Sequence, residues 1–328
     1  MIKSNHPFRR KLLLSALLAS LGGKGLTAPL NKKAIKLIVP FPAGGATDIM
    51  ARGLAQGLAM ELDQTVVVEN KGGAAGAIAA EYVARAPADG STLLLATMGV
   101  MSINPSLYPK LKYEPAKDFA PITLTHLTPR VLVVNATLPI RSVTELIAYA
   151  QKNPGRLTYG SSGNGSSSHL SGALFESIGK INLLHIPYKG SALLLTDLLT
   201  ARVDMAFDAY AVYEEHIKSG KLRLIAITSK KRMPWLPNTP TIAESGLPSY
   251  EVSNWLGLVG PVGMPSEVLR TINAAWAKIV SAQTLKQPLF ELGIEATSSS
   301  PDEFAHTIHA ETLKWTEIIK RMNITLEQ

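Results

Sequence analysis

Apolar runs with strand character alternate with helix-period segments along most of the chain. Residues 35–39 are short, apolar and rich in β-branched side chains, the pattern of a buried strand. Pro40 and Pro42 stop it by removing backbone donors. Met50, Leu54, Leu58 and Leu62 then recur every fourth residue beside Ala51 and Ala55, which predicts one helix with an apolar stripe. Strands are expected over 66–69 and 92–96, with the glycine-rich turn 70–76 and a helix over 78–85 between them. A second series predicts strands over 157–160, 183–186, 203–207 and 222–228 and helices over 169–178 and 192–200, the first of these stopped by Gly179. Ser142-Val143-Thr144-Glu145 and Ser300-Pro301-Asp302-Glu303 are capping boxes, opening helices to about Lys152 and over 301–321. Another closing helix is expected over 266–282. Two long extended apolar segments, 122–135 (interrupted at 126–130) and 252–259, are placed to carry the chain out of a first domain and back.

Alternating strands and helices imply an α/β fold with mostly parallel sheets, whose ligands sit beyond the carboxyl ends of strands. A length of 328 residues suits two domains or one large one, and 46% apolar against 18% charged residues supplies ample core. Residues 1–28 are read apart from that core. Arg9-Arg10-Lys11 precede an apolar stretch of about ten residues and a zone of small residues, the layout of a cleaved export signal rather than a membrane span. Either the general or the twin-arginine route fits. That segment holds five basic and no acidic residues, so the net charge of +8 falls to +3 for the mature chain, 28 basic against 25 acidic residues. A nucleic-acid or anionic-membrane partner therefore loses its electrostatic basis. With no cysteine, disulfides, thiolate nucleophiles and Cys-ligated metals are excluded.

Two loops carry the candidate chemistry. In Pro40-Phe41-Pro42-Ala43-Gly44-Gly45-Ala46-Thr47-Asp48, glycine freedom and a helix start aim N–H groups and a positive dipole end at one spot, suited to a carboxylate or phosphate. Asp48 would repel such a guest in direct contact, so it is expected to act as a cap or to hold water. Ser161-Ser162-Gly163-Asn164-Gly165-Ser166-Ser167-Ser168 is a second cradle of hydroxyls and N–H groups. It matches a dinucleotide fingerprint poorly, because serine replaces the third glycine. No cofactor is expected. Tyr188-Lys189-Gly190 and Asp208 end strands on the same edge, as ligand contacts or as a surface turn and a helix cap. An exported serine hydrolase using Ser166 or Ser168 with His169 is the competing class, though the Gly-x-Ser-x-Gly elbow is absent. His126, His169, His185, His216, His306 and His309 show no metal-ligand spacing.

Several stretches together resemble a family. Residues 40–48, Asp89-Gly90-Ser91-Thr92-Leu93-Leu94, Asn104-Pro105-Ser106-Leu107-Tyr108, His185-Ile186-Pro187-Tyr188-Lys189-Gly190, Val203-Asp204-Met205-Ala206-Phe207-Asp208, Gly220-Lys221-Leu222-Arg223, Pro240 to Gly246 and Trp255 to Gly260 are similar, in order, to the Bug-type periplasmic receptors of tripartite tricarboxylate transporters. Leu193-Leu194 and Ala79 depart from that pattern. The resemblance implies a two-domain periplasmic binding protein of Venus-flytrap, type II-like architecture, each domain a mostly parallel sheet flanked by helices, joined by two crossover segments. Domain 1 is expected over 32–130 plus 256–328 and domain 2 over 131–255. It implies a cleft lined by Phe41, Ala43, Gly44, Gly45, Thr47 and Asp48, by Met98, Gly99 and Asn104, by Ser161, Asn164, Gly165, Ser166 and His169, and by Tyr188, Lys189, Gly190 and Asp208. The expected function is that of a monomeric, non-enzymatic periplasmic receptor. Its ligand would be a small carboxylate (a di- or tricarboxylate, an acidic amino acid or an aromatic acid), delivered to transporter membrane subunits. A sensor feeding a signalling partner is the remaining alternative.

Overall fold

The computed structural model describes residues 33–325 apart from Gly45, 282–288 and 290–292, so the export signal expected over 1–28 and the candidate Gly45 lie outside the described residues. In chain order the elements are β1 (Ile35–Val39), α1 (Ala46–Leu62), β2 (Val66–Asn70), α2 (Ala77–Ala84), β3 (Thr92–Thr97), α3 (Asn104–Leu107), α4 (Pro115–Asp118) and β4 (Phe119–Pro129). There follow β5 (Val131–Asn135), α5 (Val143–Lys152), β6 (Thr158–Ser161), α6 (Ser167–Gly179), β7 (Leu184–Pro187), α7 (Ser191–Leu199), β8 (Met205–Asp208), α8 (Tyr210–Lys218) and β9 (Leu222–Ile227). The chain closes with β10 (Ser253–Pro261), α9 (Ser266–Ser281), β11 (Glu295–Ala296) and α10 (Pro301–Arg321).

The strands form two sheets, ordered β11-β4-β10-β3-β1-β2 and β7-β6-β8-β5-β9. Each is mixed rather than mostly parallel. β1 pairs in parallel with β2 and β3, and β6 with β7 and β8, as short βα units require. β4 and β10 pair antiparallel, as do β5 and β9, because the chain leaves one sheet and returns along neighbouring strands. Alternation along β1 sets the layers. Ile35, Leu37 and Val39 pack with α1 and α9 on one face, whereas Ile38 joins Leu94 and Ala96 on the other. Both faces are covered from Leu37 to Val39, which is why the strand is apolar there, and Lys36 near its start is exposed.

Local signals mostly hold, with instructive shifts. At α10 both halves of the capping box form, Ser300 Oγ accepting from Glu303 N–H at 3.2 Å and Glu303 Oε2 from Ser300 N–H at 2.8 Å. At α5, Ser142 Oγ accepts from Glu145 N–H, but the Glu145 carboxylate takes the Arg141 N–H at 2.7 Å instead. α6 runs through Gly179, and its left-handed cap is Lys180 at φ 49°. α8 falls where no helix was expected. Its Tyr210, Tyr213 and Ile217 do share a face, but aromatic and β-branched residues lower its helix propensity.

At the crossover, Thr228 is fully buried. Its N–H donates to the Arg130 carbonyl at 2.9 Å, and its own carbonyl accepts from Val252 N–H at 2.8 Å. Its hydroxyl accepts from Arg130 N–H at 2.8 Å and donates to the Val252 carbonyl at 2.7 Å. Both connections between the sheets are therefore tied at one residue.

β10 packs closely under α10. A Cβ added to Gly257 would sit 2.1 Å from the ring of Phe304, which is fully buried and stands edge-on to Trp255 at 5.3 Å. The ring has no room to swing away. Gly257→Ala is expected to destabilise the protein by about 1–3 kcal/mol, read as a lower urea midpoint at unchanged slope.

Candidate functional site

A cavity of about 680 Å³ opens where the carboxyl ends of parallel strands from both sheets face each other. The segments after β1, β3, β6 and β8 bring Phe41 and Thr47, Thr97 and Gly99, Ser162 to Ser167, and Ala209 to Val212 to its wall. The crossover strands add Thr128, Pro129 and Arg130 on one side and Asn254 and Leu256 on the other. Much of the wall is apolar: Ile49, Met50, Ile103, Leu107, Tyr108, Tyr210 and Ile294 join Phe41. Arg130 is the only formally charged lining residue among the described residues.

The first loop is held by Asp48, which is turned inward and 3% exposed. Its carboxylate accepts from Gly44 N–H at 3.0 Å, from Arg52 Nε at 2.9 Å and from Asn70 Nδ2 at 3.0 Å. Asn70 Nδ2 also reaches the Phe41 carbonyl at 3.0 Å. Gly44 adopts φ 85°, which a side chain would resist, and so presents its N–H to Asp48. The Arg52 guanidinium first, then the Gly44 N–H and Asn70 amide, hold the carboxyl down at about 2. Asp48 is thus a loop lock and is not part of the cavity wall.

The second loop is built just as internally. Ser162 N–H donates to Ser168 Oγ at 2.8 Å, Gly163 N–H to Ser161 Oγ at 3.2 Å and Gly165 N–H to His169 Nδ1 at 3.1 Å. Ser166 caps α6 by accepting from His169 N–H, while its hydroxyl donates to the Gly163 carbonyl at 2.6 Å. The N–H groups that looked free for an anion are largely spent on the loop itself. Below it, the His169 and His185 rings stack in parallel 3.8 Å apart, and Tyr159 covers His185. Accepting from Gly165 requires an unprotonated Nδ1, so His169 is neutral. Burial chiefly, helped by His185, lowers His169 to about 3, and burial lowers His185 to about 4.

Seven of the expected site residues reach the wall: Phe41, Thr47, Gly99, Asn104, Asn164, Gly165 and Ser166. Ala43, Gly44, Asp48, Met98, Ser161, His169, Tyr188, Lys189, Gly190 and Asp208 are not among its residues. Met98 is fully buried beneath the π-helical turn Gly99–Ile103. Ser161 Oγ pairs with His185 Nε2 at 2.7 Å, out of reach of the cavity. Tyr188 donates to Asp197 at 2.9 Å, Lys189 is exposed, and Gly190 precedes α7. Asp208 accepts from Ser191 Oγ at 2.5 Å and Ala209 N–H at 2.8 Å, and lies 3.6 Å from Arg130.

Arg130 escaped the sequence reading, together with the α8 start at Tyr210, whereas Ser167 belongs to the hydroxyl cradle expected over 161–168. The cation interrupting an apolar β-branched segment was its signal, since such a charge needs a reason to be there. Its Nε and one terminal nitrogen both donate to Ser167 Oγ, at 3.2 and 2.7 Å. Hydrolase geometry is not present here. His169 faces the Gly165 N–H rather than a serine hydroxyl, and Ser161, paired with His185, is fully buried and outside the cavity lining. Among the described residues no three His, Asp or Glu side chains gather as a metal site, and no helix is long and apolar enough to cross a membrane.

Two sheets that share one cavity at their strand ends define a two-domain solute-binding protein. Residues 50–324 match the tripartite tricarboxylate transporter family receptor, and the chain belongs to that family of periplasmic receptors, which are not enzymes. It is 33% identical over 309 residues to the protein BugT of Bordetella pertussis, covering 92% of this chain and 95% of BugT. The structure of R. palustris Rpa4515 with adipate is similar at a TM-score of 0.76 and 37% identity, covering 90% of this chain and 99% of that one. MatC from Rhodopseudomonas palustris with bound malate is similar at 0.70 and 30% identity, covering 88% and 99%. The Bug-type receptor expected from the sequence is thus what the family match shows.

His126, set against Trp276 at a 49° tilt and lowered to about 4 by burial, adds a third neutral histidine to His169 and His185. Their folded values lie below the unfolded value near 6.5, so the unfolded chain binds more protons in acid. Stability is expected to fall as pH drops from about 6.5 towards 4, seen as a lower urea midpoint at pH 5 than at pH 7.

Proposed function

We propose that this receptor captures a small carboxylate between its two lobes and delivers it to the membrane subunits of a tripartite tricarboxylate-type transporter. The lobes are residues 32–130 plus 256–328 and residues 131–255, and the chain acts as a monomer in the periplasm after removal of residues 1–28. The observation that carries the reading is the cavity itself, bounded by loops of both sheets and holding one cation, Arg130. The adipate and malate in two similar structures support the carboxylate class. Phe41, Thr47, Gly99 and Asn104 from one lobe and Asn164, Gly165 and Ser166 from the other touch the ligand. Asp48, Ser161, His169 and Asp208 hold the loops that carry them.

The energetics are sufficient. Micromolar affinity corresponds to about −8 kcal/mol, and charge-assisted hydrogen bonds contribute roughly 1.5–3 kcal/mol each before ordering costs. The cavity has room for on the order of twenty waters at ~30 Å³ each, more space than a small acid fills. Closure about the Thr228 crossover removes the remainder and desolvates the ligand. Titration calorimetry against di- and tricarboxylates, acidic amino acids and aromatic acids is expected to show at least one binder at micromolar affinity or better. Folded protein that binds none of them would overturn the carboxylate reading.

A further inference from the structure

We infer that the preferred ligand is an acid with a single anionic carboxylate on a bulky apolar body, its carboxylate taken by Arg130 beside Ser167 at the start of α6. This rests on the carboxylate reading above and narrows it.

The guanidinium is oriented but not used up. Two of its nitrogens converge on the one Ser167 hydroxyl, and the third forms an ion pair with Asp208 at 3.6 Å, longer than a hydrogen bond, so its N–H groups stay available. Asp208 is itself engaged by Ser191 and the Ala209 N–H, so it steadies the arginine without consuming its donors. A planar fork with spare N–H groups at a cavity wall is matched by one carboxylate.

Nothing comparable awaits a second anion. No other lining residue among the described residues is charged, and the cations flanking the first loop, Lys36 and Arg52, are already paired with Glu69 and Asp48. The N–H groups of Gly44, Ser162, Gly163 and Gly165 are spent within their loops. A further carboxylate would meet only neutral groups, the hydroxyls and amides of Thr47, Thr97, Asn104 and Asn254 among the apolar Ile49, Met50, Leu107, Val212 and Ile294, with no second cation to offset its desolvation. An apolar body meeting the same side chains is stabilised by leaving water.

The test is calorimetry at pH 7.5 on the full mature chain with benzoate, cyclohexanecarboxylate, adipate, malate, citrate and neutral benzamide. At least one monoacid is expected to bind ten-fold or more tightly than adipate, malate and citrate, and benzamide ten-fold or more weakly than benzoate. Arg130→Gln is expected to lose 30-fold or more of the monoacid affinity, with Arg130→Lys recovering part of it. If Arg130→Gln does not fold, the acid-against-amide comparison on the wild-type protein decides. A di- or tricarboxylate bound as tightly as the monoacids, benzamide equal to benzoate, or a folded Arg130→Gln with unchanged affinity would each overturn this inference alone. Folded wild-type protein that binds none of the acids overturns the carboxylate reading and this inference with it.

Discussion

The molecule depends on one threonine. Wherever the chain passes between the two sheets, its backbone leaves one ladder before joining the next, and buried N–H and carbonyl groups must find partners in between. Thr228 supplies them at that point. Its backbone ties to Arg130 and Val252 and its hydroxyl serves both again, so the outgoing and returning strands are joined across a single buried residue. A joint this small leaves few bonds to flex where the two sheets are linked.

Arg130 sits at that joint, its backbone bonded to Thr228 while its side chain reaches the cavity wall and Ser167. The crossover joint and the cavity's charge are therefore directly bonded neighbours, Thr228 and Arg130. A group that engages the guanidinium acts within a few bonds of the crossover between the sheets.

The two glycine-rich loops share one design. Each is held by its own buried side chain, Asp48 in one and the His169–His185 stack in the other, and each spends its N–H groups on that support. Loops so tied keep their shape without a ligand, which lowers the ordering cost of binding. The same economy leaves fewer backbone donors for an anion than the glycines suggest.

The fold was largely legible in residue order. The strand runs, the capping box at Ser300, the apolar stripe from Met50 to Leu62 and the two long extended segments are local patterns, and local sterics and periodicity determine them. So was the position of the cavity-lining loops, because turns between strands and helices must fall at strand ends. Where Asp48 and the Gly165 N–H point, that Lys180 rather than Gly179 forms the left-handed cap of α6, that α8 forms at all, and that the sheets are mixed were decided by the folded context rather than by local pattern. Arg130 shows the division most plainly. Its charge within an apolar run is visible in the sequence, but its role needs Thr228, Ser167 and Asp208, separated by 98, 37 and 78 residues and brought together only by tertiary packing.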